Sequence, residues 1–314
     1  MLLCAVVILV PDKKRGPSKK TPAKEKPSNR MKVLMLLLIG ILVLSYVAIF
    51  IVPQSNYVTP PSPSSFEPHP WMSLIPAGVE GFRFLNMTQL SKYPNLFLDP
   101  VLLSIAEIGF NISVSEVTYG LDMQTKNNTV VSIIAEDKAE SDRIAMALEG
   151  SNLTTAVYNN VTLYRLNIGP ITNQGGAWIC VYNQSVILSE GDILALEAIE
   201  SVIDAPSNPF FSDDTFKVGY LTASLGEEQF AFSFFKSGDN TLKVDWEMRS
   251  ATNSSGIMVR YLLYFPVSSD VDLKYQDVIT SVLAKAGSVH KSDNVIFGDF
   301  SYSSSDIRAV LMGI

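Results

Sequence analysis

The 314-residue sequence contains two imidazoles, His69 and His290, to serve as the base of a Ser–His or Cys–His pair. His69 stands between Pro68 and Pro70, in a stretch expected to be too extended to hold a ring rigidly. His290 follows Gly287, where a helix is expected to end, and reads as an exposed residue favoured by the helix dipole. There is no Gly-x-Ser-x-Gly elbow, so Ser–His–Asp chemistry is not expected.

Carboxylates come in pairs: Asp213-Asp214, Glu227-Glu228, Glu136-Asp137, and Asp270 with Asp272. A glycosidase needs two carboxyls facing each other across a cleft. Chain spacing alone does not place them so, and adjacent acids in an acidic chain read first as solvated surface. Asp270-Val271-Asp272 opens like a calcium loop, but Lys274 stands where the next ligand is due and no Gly follows. Two cysteines and two histidines exclude a disulfide framework and a Cys/His zinc site, and no cofactor or metal is expected. Cys180 lies in Ala177-Trp178-Ile179-Cys180-Val181-Tyr182, which reads as a strand with a buried thiol. No Walker sequence and no Gly-x-Gly-x-x-Gly occurs.

A different chemistry is spelled seven times. Asn-x-Ser/Thr sequons begin at Asn86, Asn111, Asn127, Asn152, Asn160, Asn183 and Asn253, each a candidate glycosylation site on an exported surface. All seven follow Val33 to Val52, VLMLLLIGILVLSYVAIFIV, 20 residues without a charge. As a helix that run measures about 30 Å, the thickness of the bilayer hydrocarbon.

Its flanks differ. Residues 1–32 carry nine of the 24 basic residues and two of the 31 acidic ones, a net of +7; residues 53–314 carry the remaining 15 and 29, a net of −14. Cations stay on the cytoplasmic side, so the amino end is expected inside and the carboxyl part outside. The run is longer than a signal-peptide core and no Ala-x-Ala follows it, so an uncleaved signal anchor is expected, with Met1 or Met31 as the start. An acidic exported part excludes nonspecific nucleic-acid binding.

Four segments follow from this: a basic cytoplasmic segment (1–32), a transmembrane helix (33–52), a Pro/Ser-rich stalk (53–70) and an extracytoplasmic domain (71–314). The stalk has six prolines in 18 residues and would reach about 55 Å as polyproline-like chain.

Within the domain, Asp99-Pro100 opens an expected helix to Ile108. Val117, Tyr119, Leu121 and Met123 alternate as a strand, and Thr129–Ala135 is a second. A helix is expected over Ala139–Leu148, a hairpin turning at Asn183-Gln184, and a helix over Asp192–Ile203. A hairpin is expected at Asp239-Asn240, a strand over Met258–Val267 and a helix over Asp272–Ala286. Phe230, Phe232 and Phe234 alternate and are expected on one sheet face, as core.

Helices between paired strands predict an α+β fold: an antiparallel sheet with helices packed on one face. A strand-then-helix unit recurs three times. A boundary between two similar lobes is placed at 169–176, GPITNQGG, beside the alternative of a single body.

This plan resembles uncharacterised archaeal membrane-anchored surface proteins: a basic start, one span, a Pro/Ser stalk and a sequon-rich acidic ectodomain. Tyr158–Tyr164, then Ala177–Leu188 and a helix, also look like bacterial extracytoplasmic domains of unknown function. The resemblance implies no catalytic residue. The function expected is a non-catalytic cell-surface domain for protein or glycan interaction, or for envelope assembly. Its partners would be the bilayer, through residues 33–52, and an envelope protein or glycan. The alternatives are an extracellular carboxylate-dependent hydrolase and an accessory or sensor subunit.

Overall fold

The computed structural model describes residues 57–92, 117–126, 129–135, 138–166, 176–207, 209–226, 229–237, 241–253, 256–306 and 310. The basic segment, the expected span, the helix at 99–108, Asn111, Asn127, Glu136-Asp137, Glu227-Glu228 and residues 169–175 lie outside them. Among the described residues no helix is long and apolar enough to cross a membrane. Residues 56–314 form one compact unit.

The chain runs through β1 (Val79–Asn86), the short helix α1 (Met87–Leu90), β2 (Val117–Thr125), β3 (Thr129–Ala135) and α2 (Lys138–Glu149). Next come β4 (Thr154–Tyr158), β5 (Val161–Leu166), β6 (Ala177–Tyr182), β7 (Ser185–Glu190) and α3 (Ile193–Asp204). The last part holds α4 (Asp214–Ala223), β8 (Gln229–Lys236), β9 (Trp246–Asn253), β10 (Ile257–Tyr264), α5 (Ser268–Thr280), β11 (Ser288–Lys291) and β12 (Val295–Tyr302). All twelve strands pair antiparallel in one sheet, ordered β11-β12-β10-β9-β8-β1-β2-β3-β7-β6-β5-β4. The α+β class is as expected.

The order reads alike outward from the central β1–β8 pair. On one side β1, β2 and β3 are followed by a helix, and the last strand, β7, returns beside β3. On the other side β8, β9 and β10 are followed by a helix, and β12 returns beside β10. This repeat lies within one continuous sheet. The strands flanking 169–176 pair directly, Tyr164 opposite Ile179.

Local signals set the hairpins. Asn159 and Asn160 adopt φ of 46° and 63°, and Asn183 and Gln184 adopt 49° and 62°. Two successive left-handed residues make the tight turn whose twist matches that of the strands, and Asn tolerates it best after Gly. The expected helix at Asp272–Ala286 occupies Ser268–Thr280 instead. Its stripe still packs inward, with Val271, Tyr275, Val278 and, beyond the helix end, Leu283 all buried.

Helices cover both faces of the sheet, not one. Phe82 and Phe84 of β1 join a core with Ala195, Ile199 and Val202 of α3 and Phe216 and Tyr220 of α4. Their neighbour Leu85 points the other way, into a core with Ile144 and Leu148 of α2. Register carries that second face across the sheet: Leu85 faces Ala231, Ala231 faces Ala251, and Ala251 faces Val259. Leu263, four residues on from Val259, meets α5. The physical reason is in the strands. Phe230 to Phe234 of β8 are buried without a break, so both pleat faces demand cover.

A register shift between Gln229 and Ala231 corrects a second expectation. Phe230 packs with the α2 core, while Phe232 and Phe234 pack with α3 and α4. The extra residue of a bulge breaks the period-2 alternation at that point.

Residues 57–70 do not stand away as a stalk. Val58 N–H donates to the Lys291 carbonyl at 2.8 Å, and the Tyr57 hydroxyl donates to Asp293 Oδ1 at 2.5 Å. Phe66 enters a ring cluster with Phe211, Phe216 and Tyr220 at 6.0, 6.5 and 5.6 Å. A chain with its φ values already restricted by proline loses little further entropy on docking, and one aromatic anchor supplies the apolar gain. We refer to residues 57–74 as the strap.

Candidate functional site

Where the strap ends against β1, it closes one wall of a cleft of about 440 Å³ on the face that carries α4. The strap contributes His69, Pro70 and Trp71; β1 contributes Phe84 and Asn86; β2 contributes Thr118 and Tyr119. Tyr220 and Ser224 come from α4 and its C-cap, Gly226 from the segment after it, and Gln229 from the start of β8.

Each wall has a local cause. Pro70 opens the 3-10 turn Pro70–Leu74, which buries Trp71. The Trp71 ring lies on Phe84 at 4.4 Å with planes 16° apart. The alternation of β1 puts Phe84 and Asn86 on one face, and register sets Asn86 directly opposite Tyr119. Asn86 Oδ1 accepts from the Gln89 N–H at 3.1 Å and caps α1. On the far wall α4 stops at Ser224, whose N–H donates to the Tyr220 carbonyl at 2.7 Å. Gly226 then adopts a φ of +90°, which a side chain would strain. Gln229 Oε1 accepts from the Leu225 N–H at 3.3 Å.

Among the described residues the lining holds no carboxylate, ammonium or guanidinium. It offers aromatic rings, the His69 imidazole, two carboxamides and hydroxyls. Burial pushes the Tyr119 hydroxyl far above its ordinary value and the Tyr220 hydroxyl up to about 12, the latter opposed by a hydrogen bond with Ser224. Both are neutral donors at physiological pH. Such a site can stack flat apolar faces and hydrogen-bond neutral polar groups.

The expected chemistry-bearing residues are distributed otherwise. His69 is exposed at the cleft, its ring parallel to Trp71 within 10° at 6.2 Å and with the Tyr220 edge at 6.1 Å. His290 lies on β11, half-buried, 5.2 Å from the Phe297 ring, because the helix before it ends early and a strand begins at Ser288. No structural element brings the two imidazoles together.

Asp213 caps α4, accepting from the Thr215 N–H at 2.9 Å, and Asp214 pairs with Lys217 at 2.7 Å. Asp270 faces Lys243 at 3.3 Å, while Asp272 faces Lys291 at 2.5 Å. The two carboxyls are thus turned to different cations. Among the described residues no group of three or more His, Cys, Asp or Glu is placed to hold a metal. Cys180 is buried, and burial pushes its thiol up to about 12, so it is not a ready nucleophile.

Of the sequons, Asn152, Asn160 and Asn183 are exposed, the last two at hairpin tips; Asn86 and Asn253 are half-buried. In the sequence Asn86 is marked only as a sequon and Trp71 only as the first residue after the proline-rich stretch. The signal for the cleft was the aromatic pair Trp71 and Phe84, whose partnership depends on the fold.

No family model and no curated protein matches the chain. Solved structures similar to it include three crystal forms of TP0453. Form III is 10% identical with a TM-score of 0.48, covering 80% of this chain and 100% of that one. Form IV is 9% identical at 0.47, covering 79% and 97%. Form I is 13% identical at 0.46, covering 80% and 98%.

Proposed function

We propose that this chain is a membrane-anchored cell-surface domain that binds a neutral glycan without turning it over. Residues 33–52 hold it in the bilayer with the amino end inside, and the folded part carries glycans of its own. The observation that supports binding is the composition of the cleft: stacked aromatic rings beside Asn86, Thr118, Ser224 and Gln229, with no carboxylate, ammonium or guanidinium among its described lining residues. Sugar rings present C–H faces that suit aromatic surfaces and hydroxyls that suit amides and hydroxyls, and a cleft of this size accommodates a small saccharide.

The test is calorimetric titration of the full chain in detergent with neutral and acidic oligosaccharides, repeated with Trp71→Phe and Tyr119→Ala. Binding of a neutral saccharide that changes the Trp71 fluorescence and is weakened by Tyr119→Ala supports the reading. Binding unaffected by Tyr119→Ala, or no binding by any saccharide, removes it. Release of new reducing ends during the titration would instead favour the extracellular hydrolase.

A further inference from the structure

The strap changes how far the domain can stand from a membrane. Val52 ends the apolar run and Tyr57 is already docked on β11, so four residues lie between them. Even fully extended, that stretch carries the chain at most about 18 Å from Val52 to Tyr57. An 18-residue stalk at full reach would have allowed about 55 Å.

The surface around the docking point is unlike the rest. Tyr57, Val58, Val267 and Leu273 are 49%, 40%, 51% and 73% exposed and make up four of the nine large apolar side chains exposed among the described residues. Val267 and Leu273 flank the first turn of α5. The start of α5, Tyr57 and the β11–β12 turn together line one open depression of about 500 Å³. Lys291 Nζ there is 2.5 Å from Asp272, and the Asp293 carboxylate accepts the Tyr57 hydroxyl.

From this, and resting on the membrane-anchored reading, we infer that the face bearing Tyr57, Val58, Val267 and Leu273 lies against the phospholipid headgroups of the membrane that the chain's own span enters. The tether is too short to present a distant face there first. A phenol and aliphatic side chains suit the boundary between headgroup and acyl chain. The opposite edge of the sheet, β4, lies eleven strand spacings away along the sheet, about 50 Å. The domain therefore stands with β11 toward lipid and β4 toward the exterior.

The test uses the full chain with Cys4→Ser, leaving buried Cys180 as the remaining native thiol. Leu273→Cys and, separately, Val157→Cys on β4 are labelled with a fluorophore. Each protein is reconstituted in phosphatidylcholine vesicles containing a nitroxide-headgroup lipid. The expected result is loss of more than half the emission at position 273 and little change at 157. Equal quenching at the two positions, or stronger quenching at 157, in protein that floats with the vesicles overturns the orientation while leaving the anchor intact. Protein that fails to float overturns the anchored reading, and the orientation with it.

Discussion

Phe66 of the strap meets Tyr220 of α4 edge to face, ring centroids 5.6 Å apart and planes at 90°. Tyr220 also lines the cleft and packs on Phe232 at 5.0 Å. One ring thus joins the strap, the candidate binding site and the sheet core.

Removing Phe66 should release the strap without dissolving the core. Phe66 is half-buried, so Phe66→Ala should cost about 2 kcal/mol, below the range for a fully buried Phe. Urea titration should show a lower midpoint. Amide exchange should show lost protection at Val58 and at position 66, with β8 and β9 unchanged. Loss of protection throughout the sheet would contradict this division.

Gly219 in α4 should resist the substitution that helix propensity recommends. Alanine in a helix interior ordinarily gains about 1 kcal/mol over glycine. A Cβ at 219 would run into Cη2 of Trp246 and come within 3.0 Å of its Cζ3. That ring is stacked on Tyr264 at 4.4 Å with planes 1° apart and has Phe234 at 5.8 Å, so it has little room to yield. Overpacking of this kind costs about 1–3 kcal/mol, and Gly219→Ala should lower the urea midpoint. A raised midpoint would show that Trp246 moves freely.

Stability should fall on the alkaline side. Burial raises Tyr220 from 10.0, and Cys180 from 9.0, each to about 12; it also raises Tyr119 and Tyr261. A group that keeps its proton longer when folded contributes stability fully present below its unfolded value and lost as pH rises through the folded one. The urea midpoint should therefore hold up to about pH 9 and decline toward pH 12. Tyrosinate absorbance should rise in two stages, the second together with loss of circular dichroism. A single early stage with the fold intact would refute the burial of these hydroxyls.

If the folded part is exported and glycosylated, occupancy should follow exposure. Asn152, Asn160 and Asn183 are exposed, while the side chain of Asn86 caps α1 from a half-buried position at the cleft. Glycopeptide mapping of the native chain should find sugars on those three and none on Asn86. A glycan on Asn86 would fill the cleft mouth and count against saccharide binding there.

Much of the local structure follows from short-range chemistry. Thr129–Ala135 is a strand because its β-branched run favours extended backbone, and the hairpin turns at Asn183-Gln184, where Asn183 is a residue that accepts positive φ. The apolar run at 33–52 and the step from +7 to −14 around it are likewise properties of the chain itself. What adjoining residues do not encode is which strands become neighbours and which face each one turns. One bulge sent Phe230 away from Phe232, two-sided burial of β8 brought helices to both faces, and a single docked ring turned a proline-rich spacer into a wall of the cleft. Trp71 and Phe84, Asn86 and Tyr119, and Phe66 and Tyr220 meet only after the sheet has assembled. Periodicity reports the contacts of a residue with its own turn or strand; pairing between distant segments is decided by which arrangement buries the most apolar surface at once.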